Sequence, residues 1–202
     1  MDRLVQYALA MARPKGFSER EALEKAMDVF WQHGYQRVGM TELLDGMGIA
    51  RQSLYDTFGS KRQLFLKAIG HYRSTRLAAA LALLEREGSP TQNVKDVVRF
   101  FEQLALDKRA RGCLVANSLI EIGPHDPEIR RLLAETLQLL ETRVVRALRA
   151  AQRAGELPAK RSPRAIGRAL INALIGLAVT GKLARDKAAV ADIYAGTLAL
   201  LE

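Results

Sequence analysis

Helix-start punctuation recurs along this chain and constrains its fold more than any other feature. Ser18-Glu19-Arg20-Glu21 and Ser60-Lys61-Arg62-Gln63 both have the capping-box form, a hydroxyl residue followed three positions later by Glu or Gln. Asp126-Pro127-Glu128 and Ser162-Pro163 each set a cap residue before a first-turn proline, and Glu128 adds a carboxylate at the positive end of the macrodipole. Between these signals apolar residues repeat at helical spacing. No segment alternates as a strand between hairpin turns, so the expectation is an all-α chain.

The first helix carries the apolar stripe Ala22, Leu23, Ala26, Val29 and Phe30, runs about four turns and stops at Gly34. A short helix follows near residues 40–47. Gly48 supplies a turn, and a third helix over 50–58 faces Leu54 and Phe58 inward, which is helix-turn-helix order. From Ser60 a long helix runs towards Glu87 and breaks at Gly88-Ser89-Pro90. Further helices are expected over 93–107, 113–122, 126–154, from 162 onward and 187–201, with a basic link "KRARG" before the second of these.

A chain of 202 residues suffices for one large domain or two small ones. With 49% hydrophobic and 26% charged residues it reads as ordered and globular. The net charge of +9 favours an acidic partner, nucleic acid before an anionic membrane. That charge divides into +4 over residues 1–76 and +5 over the remainder, so neither end is a basic tail. The single cysteine, Cys113, rules out an intramolecular disulfide and gives no reason to invoke an oxidising compartment; a cytoplasmic location is the expectation. The apolar run before Arg13-Pro14 is too short for a span and lacks a signal-peptide layout, and Met11 is a second candidate start. The stretch from Ala169, "ALINALIGLAVTG", also reads as a buried helix instead of a span, so no membrane partner is expected.

The stretch "GMGIARQSLYDTFGSKRQLF" places Arg51, Gln52, Tyr55 and Asp56 on one helix face, where core packing alone would not put them. Its segment "SLYDTFGSKRQLF", together with "ALEKAMDVFWQHGY" upstream, resembles the N-terminal domain of the TetR family of bacterial transcriptional regulators over Phe17 to Ala68. The later "RGCLVANSLIEIGPHDPEIR" is similar to a subgroup of that family. The resemblance implies an N-terminal three-helix helix-turn-helix domain, residues 17–68, and a C-terminal helical ligand-binding and dimerisation domain, residues 69–202. It further implies a homodimer whose two recognition helices read adjacent major grooves of a near-palindromic double-stranded DNA operator, and a small-molecule inducer bound by the C-terminal helices. Within this frame Arg51 suits guanine and Gln52 adenine, while Ser53, Tyr55, Thr57 and Lys61 suit the phosphate backbone. The alternative is a ligand-binding or scaffold protein without sequence-specific DNA binding.

Two positions depart from the family pattern. Val38-Gly39-Met40 offers no hydroxyl cap for the second helix, leaving only backbone N–H groups for phosphate there. Asp56 carries negative charge on the groove face; it accepts either from a cytosine amino group or from a nearby Arg, and the ion pair is the expectation. His33, His71 and His125 form no metal-ligand spacing, no phosphate loop appears and no nucleophile motif surrounds Cys113, so neither cofactor, metal nor enzyme activity is expected.

Phe101, Cys113, Asn117 and Glu121, with Phe100 beside them, are candidates to line a mostly apolar ligand pocket. Cys113 has two readings, a buried small hydrophobe or a thiol activated by Arg109, Arg111 and a place in the first turn of its helix. An electrophilic inducer would suit the second reading. Ile166, Leu170, Leu174, Leu177, Val190, Ile193, Tyr194 and Thr197, with Leu198, offer more apolar surface than a monomer should expose and are expected at the dimer interface, as is Asn172.

Overall fold

The computed structural model describes residues 17–107, 111–183 and 187–202, and among these it is helical with no strands. The expectations for Met11, for Arg109 in the basic link and for the link at 184–186 lie outside the described residues. Helix α1 (Glu19–His33) starts where Ser18 Oγ accepts from the Glu21 N–H at 3.3 Å. Helices α2 (Met40–Met47) and α3 (Arg51–Phe58) are joined through Gly48, whose φ of 70° is the left-handed turn that an unbranched backbone takes without cost. Ser60 caps α4 (Lys61–Tyr72), accepting from Gln63 N at 3.1 Å. A π-helical turn, Arg73–Leu77, then leads into α5 (Ala78–Leu83), so the long helix expected from Ser60 is interrupted and ends earlier.

Helix α6 (Pro90–Leu106) begins at the proline read as part of a break: Ser89 accepts from Gln92 N and Pro90 occupies the first turn. Helix α7 (Leu114–Glu121) begins after Cys113, which is its N-cap and not a first-turn residue. Asp126 caps α8 (Pro127–Arg153) through the N–H groups of Glu128 and Ile129, and α9 (Pro163–Leu183) and α10 (Lys187–Leu198) close the chain with a 3-10 turn, Ala199–Leu201.

The α1–α4 packing is built on an aromatic cluster in which the Phe30 and Phe65 rings meet edge to face at 5.1 Å and Tyr35 lies 4.7 Å from Phe65. Leu43, Met47 and Leu54 are fully buried on the same core. The second layer packs α8, α9 and α10 against α6, through Val94, Val97, Leu140, Leu148 and Leu170 among others. Pro163–Lys182 is long and apolar enough, by length and composition, to cross a membrane, which the shorter apolar stretch alone did not suggest. Its apolar side, however, carries Leu170, Leu174 and Leu177 into the core of the fold.

That orientation corrects the expected dimer surface. Ile166, Leu170, Leu174, Leu177, Val190 and Thr197 are buried inside the subunit, and Ile193 and Tyr194 are half-buried against its own core. The exposed stripe is instead small and polar: Ala165, Ala169, Asn172, Gly176 and Val179 on α9, with Ala191, Ala195 and Gly196 on α10. The apolar residues turn inward because α6 and α8 cover them.

Candidate nucleic-acid interface and ligand cavity

Helix α3 is held from behind by Leu54 and Phe58, fully and nearly fully buried, which aims its other face at solvent. On that face Arg51 and Gln52 are exposed in the first turn and Tyr55 is 43% exposed, while Ser53 and Thr57 are half-buried at its flanks. Among the described residues Asp56 does not pair with an arginine. It accepts from Gln52 Nε2 at 2.8 Å, an i,i+4 contact that fixes the amide while leaving its carbonyl and second N–H free.

Lys61 is placed otherwise than a free phosphate contact. Its ammonium donates to the Val38 carbonyl at 2.6 Å and lies 4.8 Å above the Tyr35 ring, and burial lowers its pKa. Lys61 thereby anchors the residue next to Gly39, the N-cap of α2. Among the described residues no side chain caps that end and none approaches the Gly39 Cα, so the first N–H groups of α2 are available to an anion.

Two struts join this domain to the C-terminal helices, one at each end of α7. At its start, Arg111 pairs with Asp28 at 2.7 Å and stacks on Trp31 at 4.3 Å, while Trp31 Nε1 donates to the Gly112 carbonyl at 3.0 Å. At its end, Glu121 accepts from the Tyr35 and Gln36 N–H groups, and Arg62 grips Asp126 at 2.7 Å. Glu121 therefore lies between domains and not in a pocket. Asn117 is likewise occupied elsewhere, donating to the Arg111 carbonyl at 2.9 Å.

Phe101 and Cys113 do share a cavity wall, together with Tyr72, Thr136, Leu140 and Leu174, around a partly enclosed apolar space of about 30 Å³. A second void of about 20 Å³ lies on the other side of Tyr72, Phe101 and Cys113. The Tyr72 hydroxyl donates to Cys113 Sγ at 3.9 Å, and burial, followed by the Cys113 charge, pushes the phenol pKa well up. Arg111 is paired with Asp28 and stacked on Trp31. Tyr72 was missed from the sequence because its spacing on α4 is that of any core aromatic.

Buried scaffold residues behind an exposed Arg-Gln-Tyr helix face, joined to an all-helical domain with an internal apolar cavity, define a helix-turn-helix DNA-binding regulator. Residues 22–68 match the family model described as bacterial regulatory proteins, tetR family, and residues 90–196 match the tetracyclin repressor-like C-terminal domain. The chain is 34% identical to the HTH-type transcriptional regulator YezE of Bacillus subtilis, over 95% of this chain and 100% of that one. It is 28% identical to the HTH-type transcriptional repressor ComR of Escherichia coli, over 72% and 70% of the two chains. Among solved structures, a cysteine mutant of the TetR family regulator CifR, complexed with 26bp double-strand operator DNA, superposes with a TM-score of 0.84 at 27% identity, covering 92% of this chain and 98% of that one. The chain belongs to the TetR family and is a DNA-binding transcriptional regulator. Members of this family are transcriptional regulators and not enzymes.

Proposed function

We propose that the protein is a cytoplasmic, non-enzymatic, ligand-released repressor that binds a near-palindromic operator as a homodimer. Residues 17–68 form the DNA-binding domain and residues 69–202 the ligand-binding and dimerisation domain. The observation that carries the reading is the face of α3, where Arg51 and Gln52 stand exposed at the N-terminal end while Leu54 and Phe58 lock the helix from behind. Arg51 reads guanine and Gln52, oriented by Asp56, reads adenine. Ser53, Tyr55 and Thr57 take the phosphate backbone with the free N-terminus of α2, which Lys61 holds in place.

The inducer is an apolar small molecule that opens the space between Tyr72, Phe101 and Leu174. The present cavity is about the size of one water, so ligand entry requires the lining helices to separate. Because the domain struts sit at both ends of α7, and Cys113 at the cavity is its N-cap, separation there displaces the helix-turn-helix domain. Binding of the chain to its own upstream DNA, followed against salt, tests the regulator reading. Sequence-selective binding with a steep salt slope supports it, and equal weak binding to all DNA supports a ligand-binding or scaffold role.

A further inference from the structure

The C-terminal half of α8 carries a charge problem that DNA binding does not use. Between residues 143 and 168 the chain places seven arginines and one lysine against one carboxylate, Glu156. Arg146, Arg149, Arg153 and Arg164 line a groove of about 600 Å³ between α8 and the start of α9. Arg146 and Arg153 also border a second groove of about 450 Å³ on the α5 side. None of these four guanidiniums has an ion-pair or hydrogen-bond partner among the described residues.

The nearby carboxylates are already engaged. Glu141 pairs with Arg168 at 3.0 Å, Glu85 with Arg143, and Glu156 accepts from Ser89 and the Thr91 N–H. Arginines at i, i+3 and i+7 on one helix face repel one another, a cost that an anion in the groove would reverse. Arg146 lies nineteen residues along α8 from Pro127, about 28 Å from the end that Arg62 anchors, so the duplex held by α3 is not its ligand.

We propose that this groove binds a small ligand carrying two or more linked phosphates. The guanidinium forks match phosphate oxygens two at a time; every cation of the lining is an arginine, beside Gln138, Thr142, Val145 and the Glu141 carboxylate that Arg168 holds, and this favours that geometry over the point charges of lysine. The groove is concave and of small-molecule size, which favours a compact polyanion over a duplex or an extended acidic peptide. Several charges concentrated on one short chain satisfy the three guanidiniums spread over roughly 10 Å of the α8 axis together with that of Arg164 on α9.

Titration calorimetry of the full chain, free of DNA, tests this with pyrophosphate and ATP set against orthophosphate and AMP. Pyrophosphate or ATP should bind at one site per subunit, at least tenfold more tightly than the single-phosphate controls. Similar affinities for both point to an inorganic source, and tighter ATP binding points to a nucleotide. The paired change Arg149→Ser and Arg164→Ser should lose at least tenfold, with the circular dichroism spectrum and DNA binding unchanged, whereas Arg130→Ser at the other end of α8 should lose nothing. The proposal is overturned if neither ligand binds, if the paired variant binds as the wild type does, or if Arg130→Ser loses as much. It is also overturned if hexaglutamate binds more tightly than pyrophosphate, which would make the groove a protein-docking surface.

Discussion

The Glu121 carboxylate caps the turn at Gln36, accepting from the Gln36 N–H at 2.8 Å, and thereby ties the last residue of α7 to the end of α1. Gln36 answers through its side chain, donating Nε2 to the Glu121 carbonyl at 3.2 Å. The contact needs Gly34: a Cβ there would lie 2.7 Å from Glu121 Oε1, and the φ of 85° disfavours any side chain. This pair, with the Arg111–Trp31 stack at the opposite end of α7, ties that short helix at both ends to the helix-turn-helix domain.

Glu121→Ala should therefore uncouple the domains. It leaves two backbone N–H groups without their acceptor and should lower thermal stability by about 1–3 kcal/mol. Operator affinity should fall, and its response to an inducer should fall further, as measured by fluorescence anisotropy with and without ligand. Unchanged inducer response in this variant would remove α7 from the signal path.

A second strut gives a pH signature. The Arg62 guanidinium, followed by the Ile129 N–H, holds the Asp126 carboxyl at about 2 instead of 3.8. A carboxyl depressed on folding stabilises the folded state above its unfolded pKa, and that contribution is lost as pH falls from 3.8 towards about 2. Asp126→Asn should lack this loss, so its acid-unfolding curve should be shallower than that of the wild type in that window. Superimposable curves would show that the strut carries no stability.

The helix-turn-helix was legible because its signals are local: two capping boxes, the Gly48 turn, and Leu54 and Phe58 four residues apart on α3. What sequence reading missed depends on distance. Glu121 looked like a pocket residue, yet it bonds to Tyr35, 86 residues away, and nothing in a helical repeat encodes that. Apolar content does not mark the outward face of α9: Leu170, Leu174 and Leu177 point to α6 and α8, and Ala165 and Ala169 are left outside. The arginine groove was hidden by a net charge shared almost evenly between the two parts of the chain. Ser89-Pro90 starts α6 where the sequence suggests only a break, since the same two residues fit both ends of a helix break.

The exposed small-residue stripe predicts which changes make monomers. An added Cβ at Gly176 meets nothing among the described residues of the subunit, so Gly176→Glu and Ala169→Glu should leave the fold intact and block close approach of a second copy. Light scattering should give the monomer mass, and operator binding should be lost because each half-site alone is weak. Leu174→Glu, by contrast, should unfold the C-terminal domain, being buried in the cavity wall. Dimeric Gly176→Glu would place the interface elsewhere.

Cys113 sits in the cavity wall as the α7 N-cap, with Tyr72 donating to its sulfur. Alkylation by N-ethylmaleimide should force bulk into a space of about 30 Å³ and release the operator. Cys113→Ser should resist that release. Equal release of both proteins would assign the effect to another site and leave a non-covalent apolar inducer as the account.

The most direct test of the α3 face compares Arg51→Ala with Lys61→Ala on operator and on random DNA across a salt series. Arg51→Ala should lose about 1–3 kcal/mol on the operator and much less on random DNA, with relaxed preference at one base pair. Lys61→Ala should weaken both DNAs alike, because removing its bond to the Val38 carbonyl loosens the phosphate-facing end of α2. Equal loss on operator and random DNA for Arg51→Ala would contradict base reading by α3.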